Sequence, residues 1–222
     1  MNEDHRPDPD ALLAQVQQDD ARSKLGKLYI FLGMCPGVGK TFAMLQAARQ
    51  RQQEGMQVLV GIVETHGRSE TAALVNGMQV LPRRHLEHRG FTLEEFDLDV
   101  VLRLRPQLVL VDELAHTNSP GSRHAKRYQD VLELIDAGID VYTTLNVQHI
   151  ESQVDIVQQI SGVTVSETVP DSILDVAHEI QLIDLSVEKL LERYFAALRE
   201  IKSLQQAENN EEPPKEAAPQ AA

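Results

Sequence analysis

LYIFLGMCPGVGKT, residues 28–41, places a glycine-rich turn between an aliphatic run and the start of a long helical pattern. The run Leu28–Leu32 predicts a buried strand, and the residues from Thr41 onward, TFAMLQAARQRQQ, predict a helix. A glycine-rich turn between a strand and a helix is the context that a phosphate-binding loop requires. This segment therefore predicts a parallel α/β unit with an anion site at its turn.

The rest of the chain continues the alternation of short aliphatic runs with longer amphipathic segments, which is typical of parallel strands joined by helices. We expect an α/β fold: a P-loop NTPase-like three-layer sandwich, with a mostly parallel sheet flanked by helices. Further strands are predicted over Val58–Val63, Leu108–Val111, Asp140–Leu145, Val163–Val165 and Ile180–Ile183. Further helices are predicted over Asp10–Ala21, Ser69–Gly77, Leu98–Leu104, Tyr128–Asp136, Glu151–Ile160 and Val187–Gln206.

The chain divides into one domain and two flanking segments. Residues 25–206 are expected to form a nucleotide-binding domain with a single core. Residues 1–24 are expected to be an N-terminal extension with a helix. Residues 207–222 form an acidic Pro/Ala tail with almost no bulky apolar residue, so we expect it to be disordered. None of these patterns indicates an oligomeric state.

Composition excludes several classes of protein. The chain holds 21 Lys and Arg against 34 Asp and Glu, a net charge of −13, which argues against direct binding to nucleic acid. A single cysteine cannot form an intrachain disulfide, so the fold does not depend on an oxidising compartment. No apolar run reaches the roughly 18–20 residues of a membrane span, and the acidic start lacks a signal peptide's apolar segment. We therefore expect a cytoplasmic chain that does not insert into a membrane.

The glycine-rich turn supplies the predicted nucleotide-binding residues. Its glycines let backbone N–H groups point at phosphates, Lys40 adds a mobile cation, and the Thr41 hydroxyl is placed to hold Mg²⁺. The strict motif would have its first glycine at Met34, whereas here the glycine lies one position earlier. The set comprises Gly33, Cys35, Pro36, Gly37, Val38, Gly39, Lys40, Thr41 and Phe42.

The predicted strand LVLV, residues 108–111, is followed by two carboxylates. Asp112 is predicted to hold Mg²⁺ together with Thr41, because phosphate-loop enzymes keep an aspartate at this point. Glu113 is the first choice for a general base, and Glu64, after the second predicted strand, is its rival. A solvated strand end or a helix cap is the alternative for each acid. No NKxD-like guanine-reading segment is present, which favours ATP as the nucleotide.

Other polar residues follow the predicted strands. At the end of the fourth strand, these are Thr143, Thr144 and Asn146, where either γ-phosphate recognition or simple strand-edge polarity fits. Five cations in loops near strand ends are placed to touch phosphates or a partner: Arg68, Arg123, His124, Lys126 and Arg127. The basic segment Pro82–Gly90 has no interleaved aromatics, so we interpret it as a solvated, partner-facing loop.

With these residues identified, the chain resembles the N-terminal cytoplasmic domain of the KdpD family, the bacterial sensor histidine kinases for potassium limitation. The resemblance spans about residues 6–190. It is carried by RPDPDALLAQV (6–16), FLGMCPGVGKTFAML (31–45), VETHGR (63–68), VDELAHTNSPGSRHAKRYQD (111–130), GIDVYTTLNVQHIES (138–152) and ETVPD (167–171). The segment around the acidic pair is far more specific than the glycine loop alone.

The resemblance implies an ATP-binding regulatory domain of a two-component system. Gly37, Gly39, Lys40 and Thr41 match the family's Walker-type loop, and the Asp112–Glu113 pair matches its acidic strand end. The implied partners are the other domains of such a sensor, or a response regulator of the KdpE type that controls a potassium-uptake system. The kinase module of full-length members does not occur in this sequence.

Three functions remain open at this point. The first is a regulatory switch in which ATP and Mg²⁺ order the loops after the third and fourth predicted strands. The second is a catalytic ATPase or small-molecule kinase that uses Glu113 or Glu64 as its base. The third, motivated by Met34, is an interaction module that binds no nucleotide.

Overall fold

The structure is a computed structural model that describes residues 24–186, 188–192, 195–196 and 199. Two compact units are divided between Asp184 and Leu185. The predicted helix Asp10–Ala21 and the predicted tail 207–222 lie outside the described residues, as do residues 1–23 of the predicted extension. Of the predicted closing helix Val187–Gln206, the residues described between 188 and 199 are helical.

The first unit is built on a six-stranded parallel sheet. Its strands are β1 (Leu28–Gly33), β2 (Val58–Ile62), β3 (Gln79–Val80), β6 (Leu108–Val111), β7 (Asp140–Asn146) and β8 (Glu179–Ile183). They lie in the order β3-β2-β6-β7-β1-β8. A separate antiparallel hairpin is formed by β4 (Arg84–His88) and β5 (Phe91–Glu95).

Helices cover both faces of the sheet. They are α1 (Lys40–Gln53), α2 (Ser69–Val75), α3 (Leu98–Leu104), α4 (Arg127–Asp136), α5 (Val154–Ser161) and α6 (Ser172–Val176), with 3₁₀ turns over Val147–His149 and Glu151–Gln153. Leu108 and Leu110 pack in one core with α1, while Val109 and Val111 pack in a second core with α3 and α4. Because side chains alternate across a strand, a sheet buried on both faces needs the continuous aliphatic runs seen in the sequence. The three-layer α/β prediction is confirmed.

Within the described residues, the predicted strands and helices agree with the structure except in two places. Val163–Val165 was predicted as a strand and is not one, since the chain there forms no ladder and Val163 is exposed. The basic segment Pro82–Gly90 was predicted as a loop, but most of it belongs to the β4–β5 hairpin. Leu86 faces Leu93 across the hairpin, and positive φ angles at Arg89 (50°) and Gly90 (82°) make its two-residue turn. Leu86 is the only apolar residue of β4, so the sequence showed no alternation of apolar and polar residues there.

The strand order determines which loops meet. All strands of the sheet are parallel, so the segments that follow β1, β2, β6 and β7 lie at one edge of the sheet. Strand β7 lies between β1 and β6, and Val111 is in register with Thr143. The residues after β6 are therefore separated from the turn after β1 by the end of β7. No helix among the described residues combines the length and apolar character that crossing a bilayer requires.

Candidate functional site

The turn after β1, residues 33–41, is called the glycine loop here. Gly37 (φ 89°) and Gly39 (φ 105°) have left-handed backbones that other residues adopt only with strain. The loop also folds back over Gly33, where a Cβ would lie 2.6 Å from Val38 Cγ2 and 2.9 Å from Lys40 Cδ. Met34, in contrast, is 57% exposed. Glycine at position 33 rather than 34 is thus what this loop needs.

The remaining predicted loop residues lie in the same turn or at the start of α1. Val38 is buried against the end of β1, Cys35 is half-buried, Pro36 is exposed, and Phe42 belongs to α1. Lys40 is only 9% exposed, and its Nζ donates a hydrogen bond to the Cys35 carbonyl oxygen at 3.1 Å. Burial lowers the pKa of Lys40, an effect that the nearby Asp112 carboxylate opposes. The loop therefore wraps around its own cation.

Asp112 follows β6 and points toward the glycine loop. Its carboxylate accepts hydrogen bonds from Thr41 Oγ1 (3.1 Å to Oδ2) and from the Thr144 hydroxyl. It also accepts from the backbone N–H of Glu64 (3.2 Å) and of Glu113 (3.1 Å). Burial raises the pKa of Asp112, and these four hydrogen bonds oppose the rise. They hold the carboxylate beside the Thr41 hydroxyl in one orientation.

The pair Thr41–Asp112 fits the ligands that Mg²⁺ takes in nucleotide sites. Mg²⁺ prefers hard oxygen ligands and is usually held by one or two protein oxygens, phosphates and waters. Here a hydroxyl and a carboxylate lie 3.1 Å apart at the end of the glycine loop, next to the ammonium of Lys40. The donor set and its position fit a magnesium–phosphate complex.

Glu113 and Glu64 both lie at the same edge of the sheet but in different surroundings. Glu113 has a left-handed backbone (φ 58°), and its Oε1 lies 3.5 Å from His66 Nε2. The carboxylate of Glu64 accepts from Arg83 Nη2 at 2.8 Å. The ion pair with Arg83 already occupies this carboxylate, so Glu64 is the weaker candidate for a base.

The polar residues at the end of β7 differ in what they touch. Thr144 bonds Asp112 and also accepts from the Glu113 N–H at 3.1 Å, so it supports the acidic pair. Thr143 points to the opposite face by strand alternation. Within the described residues, Thr143 Oγ1 and Asn146 Oδ1 are buried and have no hydrogen-bond partner.

Of the five cations expected to touch phosphates or a partner, Arg127 is placed otherwise. It starts α4, is 2% exposed, donates from Nη1 to the Asp112 carbonyl oxygen at 3.0 Å, and has Nη2 3.5 Å from Glu95 Oε2. Arg127 thus supports the backbone of Asp112 and does not face the glycine loop. Arg123 and His124 both pair with Glu133, and Lys126 donates to the Thr117 hydroxyl.

Glu95, the last residue of β5, is the main residue that sequence reasoning missed. Burial disfavours its charged form, but hydrogen bonds from His116 and Ser119 outweigh burial and hold the pKa of Glu95 at about 2. Ser119 donates to its Oε1 from the backbone N–H at 2.8 Å and from the hydroxyl at 2.7 Å. Glu95 thus joins the hairpin to Arg127 and so to Asp112. Residues 84–95 show no sustained alternation of apolar and polar residues, so the sequence offered no signal that placed Glu95 on a strand.

The comparison with known families is decisive. A family model described as the osmosensitive K⁺ channel His kinase sensor domain of KdpD matches residues 24–211. This chain belongs to the KdpD sensor-domain family. The resemblance drawn from the sequence motifs is thereby confirmed.

Curated relatives agree with the family model. The chain is similar to the sensor protein KdpD of Escherichia coli (strain K12), with 52% identity over 192 residues, 86% of this chain and 21% of the relative. It is 47% identical to sensor protein KdpD of Clostridium acetobutylicum over 85% of this chain and 21% of the relative. It is 50% identical to sensor protein KdpD of Mycobacterium tuberculosis (strain H37Rv), over 77% of this chain and 20% of the relative. The chain spans about a fifth of the length of these KdpD proteins.

The ion pair between Arg127 and Glu95 leads to a prediction about stability. Arg127→Met keeps an unbranched side chain but leaves Glu95 buried without its cation, so we expect the free energy of unfolding to fall by about 3 kcal/mol. Adding Glu95→Gln removes the unpaired charge, and we expect the double variant to lose about 1 kcal/mol less than the sum of the single losses. Urea unfolding of all four proteins measures this coupling. Additive losses would show that the two side chains do not interact.

A second prediction concerns Asp130 in α4, which is buried and accepts from Asn118 Nδ2 at 2.6 Å. Burial raises the pKa of Asp130 to about 6. A raised pKa in the folded state means that protonation favours folding, so this contribution is lost as the pH rises through about 6. The substitution Asp130→Asn removes this pH-dependent contribution to stability. The variant's stability relative to wild type should rise by up to about 3 kcal/mol between about pH 4 and about pH 7 in urea unfolding. A pH-independent difference would contradict the raised pKa.

Proposed function

We propose that this chain is an ATP-binding regulatory domain of a KdpD-type two-component sensor. Its nucleotide state would modulate the signal that controls expression of a potassium-uptake system, on the cytoplasmic side of the membrane. One observation carries the proposal: Thr41 Oγ1 lies 3.1 Å from a buried Asp112 carboxylate at the end of a glycine loop that encloses Lys40. Family membership and this geometry support the same function.

The residues divide the work of binding between them. Backbone N–H groups of the glycine loop and the first turn of α1 face the phosphates, since a helix N-terminus favours anions. Lys40 exchanges its bond to the Cys35 carbonyl for a phosphate oxygen. Thr41 and Asp112 would hold Mg²⁺, which supplies charge neutralisation for the phosphates when it is bound. The buried surroundings of Lys40 strengthen each of these interactions relative to water.

Asp112 also explains how binding is communicated. The segments after β2 and after β6 both donate a backbone N–H to its carboxylate, from Glu64 and from Glu113. A ligand that draws this carboxylate toward a metal competes with both bonds. The two segments therefore favour different positions with and without ligand, which gives the differential affinity that a switch needs.

The partners in this proposal are other domains of a KdpD sensor or a response regulator of the KdpE type. The relatives named sensor protein KdpD are about five times as long as the matched region, which leaves room for such domains. A direct nucleic-acid partner is not part of the proposal, because the net charge of −13 disfavours it.

Lys40→Ala tests nucleotide binding. We expect wild type to show a higher thermal midpoint with Mg·ATP, since a ligand that binds only the native state stabilises it, and we expect the variant to lose this shift. The midpoint without nucleotide should change little, because the lysine contacts the loop and the ligand. Lys27→Ala, an exposed lysine before β1, is the matched control and should keep the full shift. Absence of any shift or binding heat in folded wild type would instead support an interaction module without nucleotide.

Catalytic hydrolysis or phosphoryl transfer is the second candidate function. The position of Glu113 favours it, because this half-exposed carboxylate lies next to the magnesium pair and beside His66. Glu64 is less suited as the base since it is paired with Arg83.

Turnover measurements separate the switch from the enzyme. As a regulatory switch, the purified domain should release phosphate at well below about 1 s⁻¹, under the usual range for enzymes. A faster rate that Glu113→Gln abolishes, with ATP affinity retained, would establish the enzyme. Glu64→Gln is the control and should leave such a rate within about twofold, because its carboxylate is already engaged.

A further inference from the structure

Arg68 is the cation that remains at the glycine loop once Arg123, His124, Lys126 and Arg127 are assigned to other contacts. A Cβ at Gly37 would lie 3.9 Å from Arg68 Nη2, so the guanidinium lies against the middle of the loop. Lys40 reaches the same loop, because its Nζ donates a hydrogen bond to the Cys35 carbonyl oxygen at 3.1 Å. Two cations thus converge on one turn, which is an unfavourable arrangement until an anion binds between them.

The Arg68 side chain is available to such an anion. It is exposed, and within residues 24–186 no carboxylate lies at ion-pair distance from its guanidinium. Arg83, from the neighbouring segment, is by contrast occupied by Glu64 and Glu94. Carboxylates therefore neutralise Arg83, whereas Arg68 faces the glycine loop.

The backbone around Arg68 is held in place by the site itself. In the segment after β2, the Glu64 N–H bonds Asp112, His66 lies beside Glu113, and Arg68 is the N-cap residue just before α2. His66 (φ 49°) and Gly67 (φ 73°) both have left-handed backbones, and the Arg68 N–H closes the turn on the Thr65 carbonyl at 3.0 Å. A left-handed non-glycine residue persists only where its surroundings determine it. The position of Arg68 therefore depends on the acidic pair.

We propose that Arg68 recognises the terminal phosphate of the bound nucleoside triphosphate and sets the preference for triphosphate over diphosphate. The inference rests on the proposed nucleotide site. Amides that lead into α1 would hold the inner phosphates, whereas Arg68 follows the segment that contacts Asp112 and Glu113, the side on which Asp112 would hold Mg²⁺ to neutralise phosphate charge. Its planar guanidinium donates two parallel hydrogen bonds to phosphate oxygens, which a diphosphate at the inner positions does not reach.

Calorimetry with Mg·ATP and Mg·ADP tests this specificity. Arg68→Ala should weaken ATP binding by about 10-fold or more while ADP binding stays within about twofold, as expected for the loss of charge-assisted hydrogen bonds to one phosphate. Arg68→Lys should restore part of the ATP affinity, because it keeps the charge but loses the fork. Arg103→Ala, an exposed arginine on α3, makes the same charge change and should alter neither affinity.

Each other outcome has a definite meaning. Retained ADP binding shows that Arg68→Ala is folded with an intact loop, so a selective loss of ATP affinity cannot come from misfolding. Equal weakening for ATP and ADP, no weakening for either, or a wild type that binds both equally would overturn the role of Arg68 and leave the nucleotide site standing. A folded wild type that binds neither nucleotide would overturn both the nucleotide site and the role of Arg68.

Discussion

The carboxylate of Asp112 is the group on which the site depends. It is 1% exposed, and a buried charge is tolerated only when its hydrogen-bonding capacity is filled. Donors come from four segments: the first turn of α1, the chain after β2, the residue after β6, and β7. Moving any one of these segments leaves the carboxylate less satisfied, so they hold one another in place. The group that organises the packing is also the proposed metal ligand.

Strand order makes this arrangement possible. Because β7 separates β1 from β6, the glycine loop and Asp112 face each other across the width of one strand rather than side by side. Thr144 at the end of β7 fills the space with a hydroxyl that bonds both Asp112 and the Glu113 N–H. Parallel direction brings all these strand ends to one edge, which is where open α/β sheets bind ligands.

The backbone of Asp112 connects the site to the β4–β5 hairpin. Arg127 bonds its carbonyl oxygen and pairs with Glu95 at the end of β5, while Arg83 just before β4 pairs with Glu64. Both ends of the hairpin are therefore anchored to residues that contact Asp112 or follow the strand next to it. Phe91 near the hairpin turn is exposed. Such an element is well suited to report the state of the site to another domain, as the proposed regulatory function requires.

Local pattern was sufficient for the parallel sheet, the glycine loop and the acidic pair, because buried strands need continuous aliphatic runs and a turn with left-handed backbones needs glycines at particular positions. The motifs that identify the KdpD family are equally local. Long-range contacts decided the rest. The charges of residues 84–95 concealed a hairpin. Val163–Val165 has strand propensity but no partner strand. Arg127 was predicted as a loop cation, because its burial beside Glu95 is visible only in the folded chain. Propensity and spacing are properties of neighbouring residues, whereas strand pairing and the burial of a charge depend on residues that only the folded chain brings together.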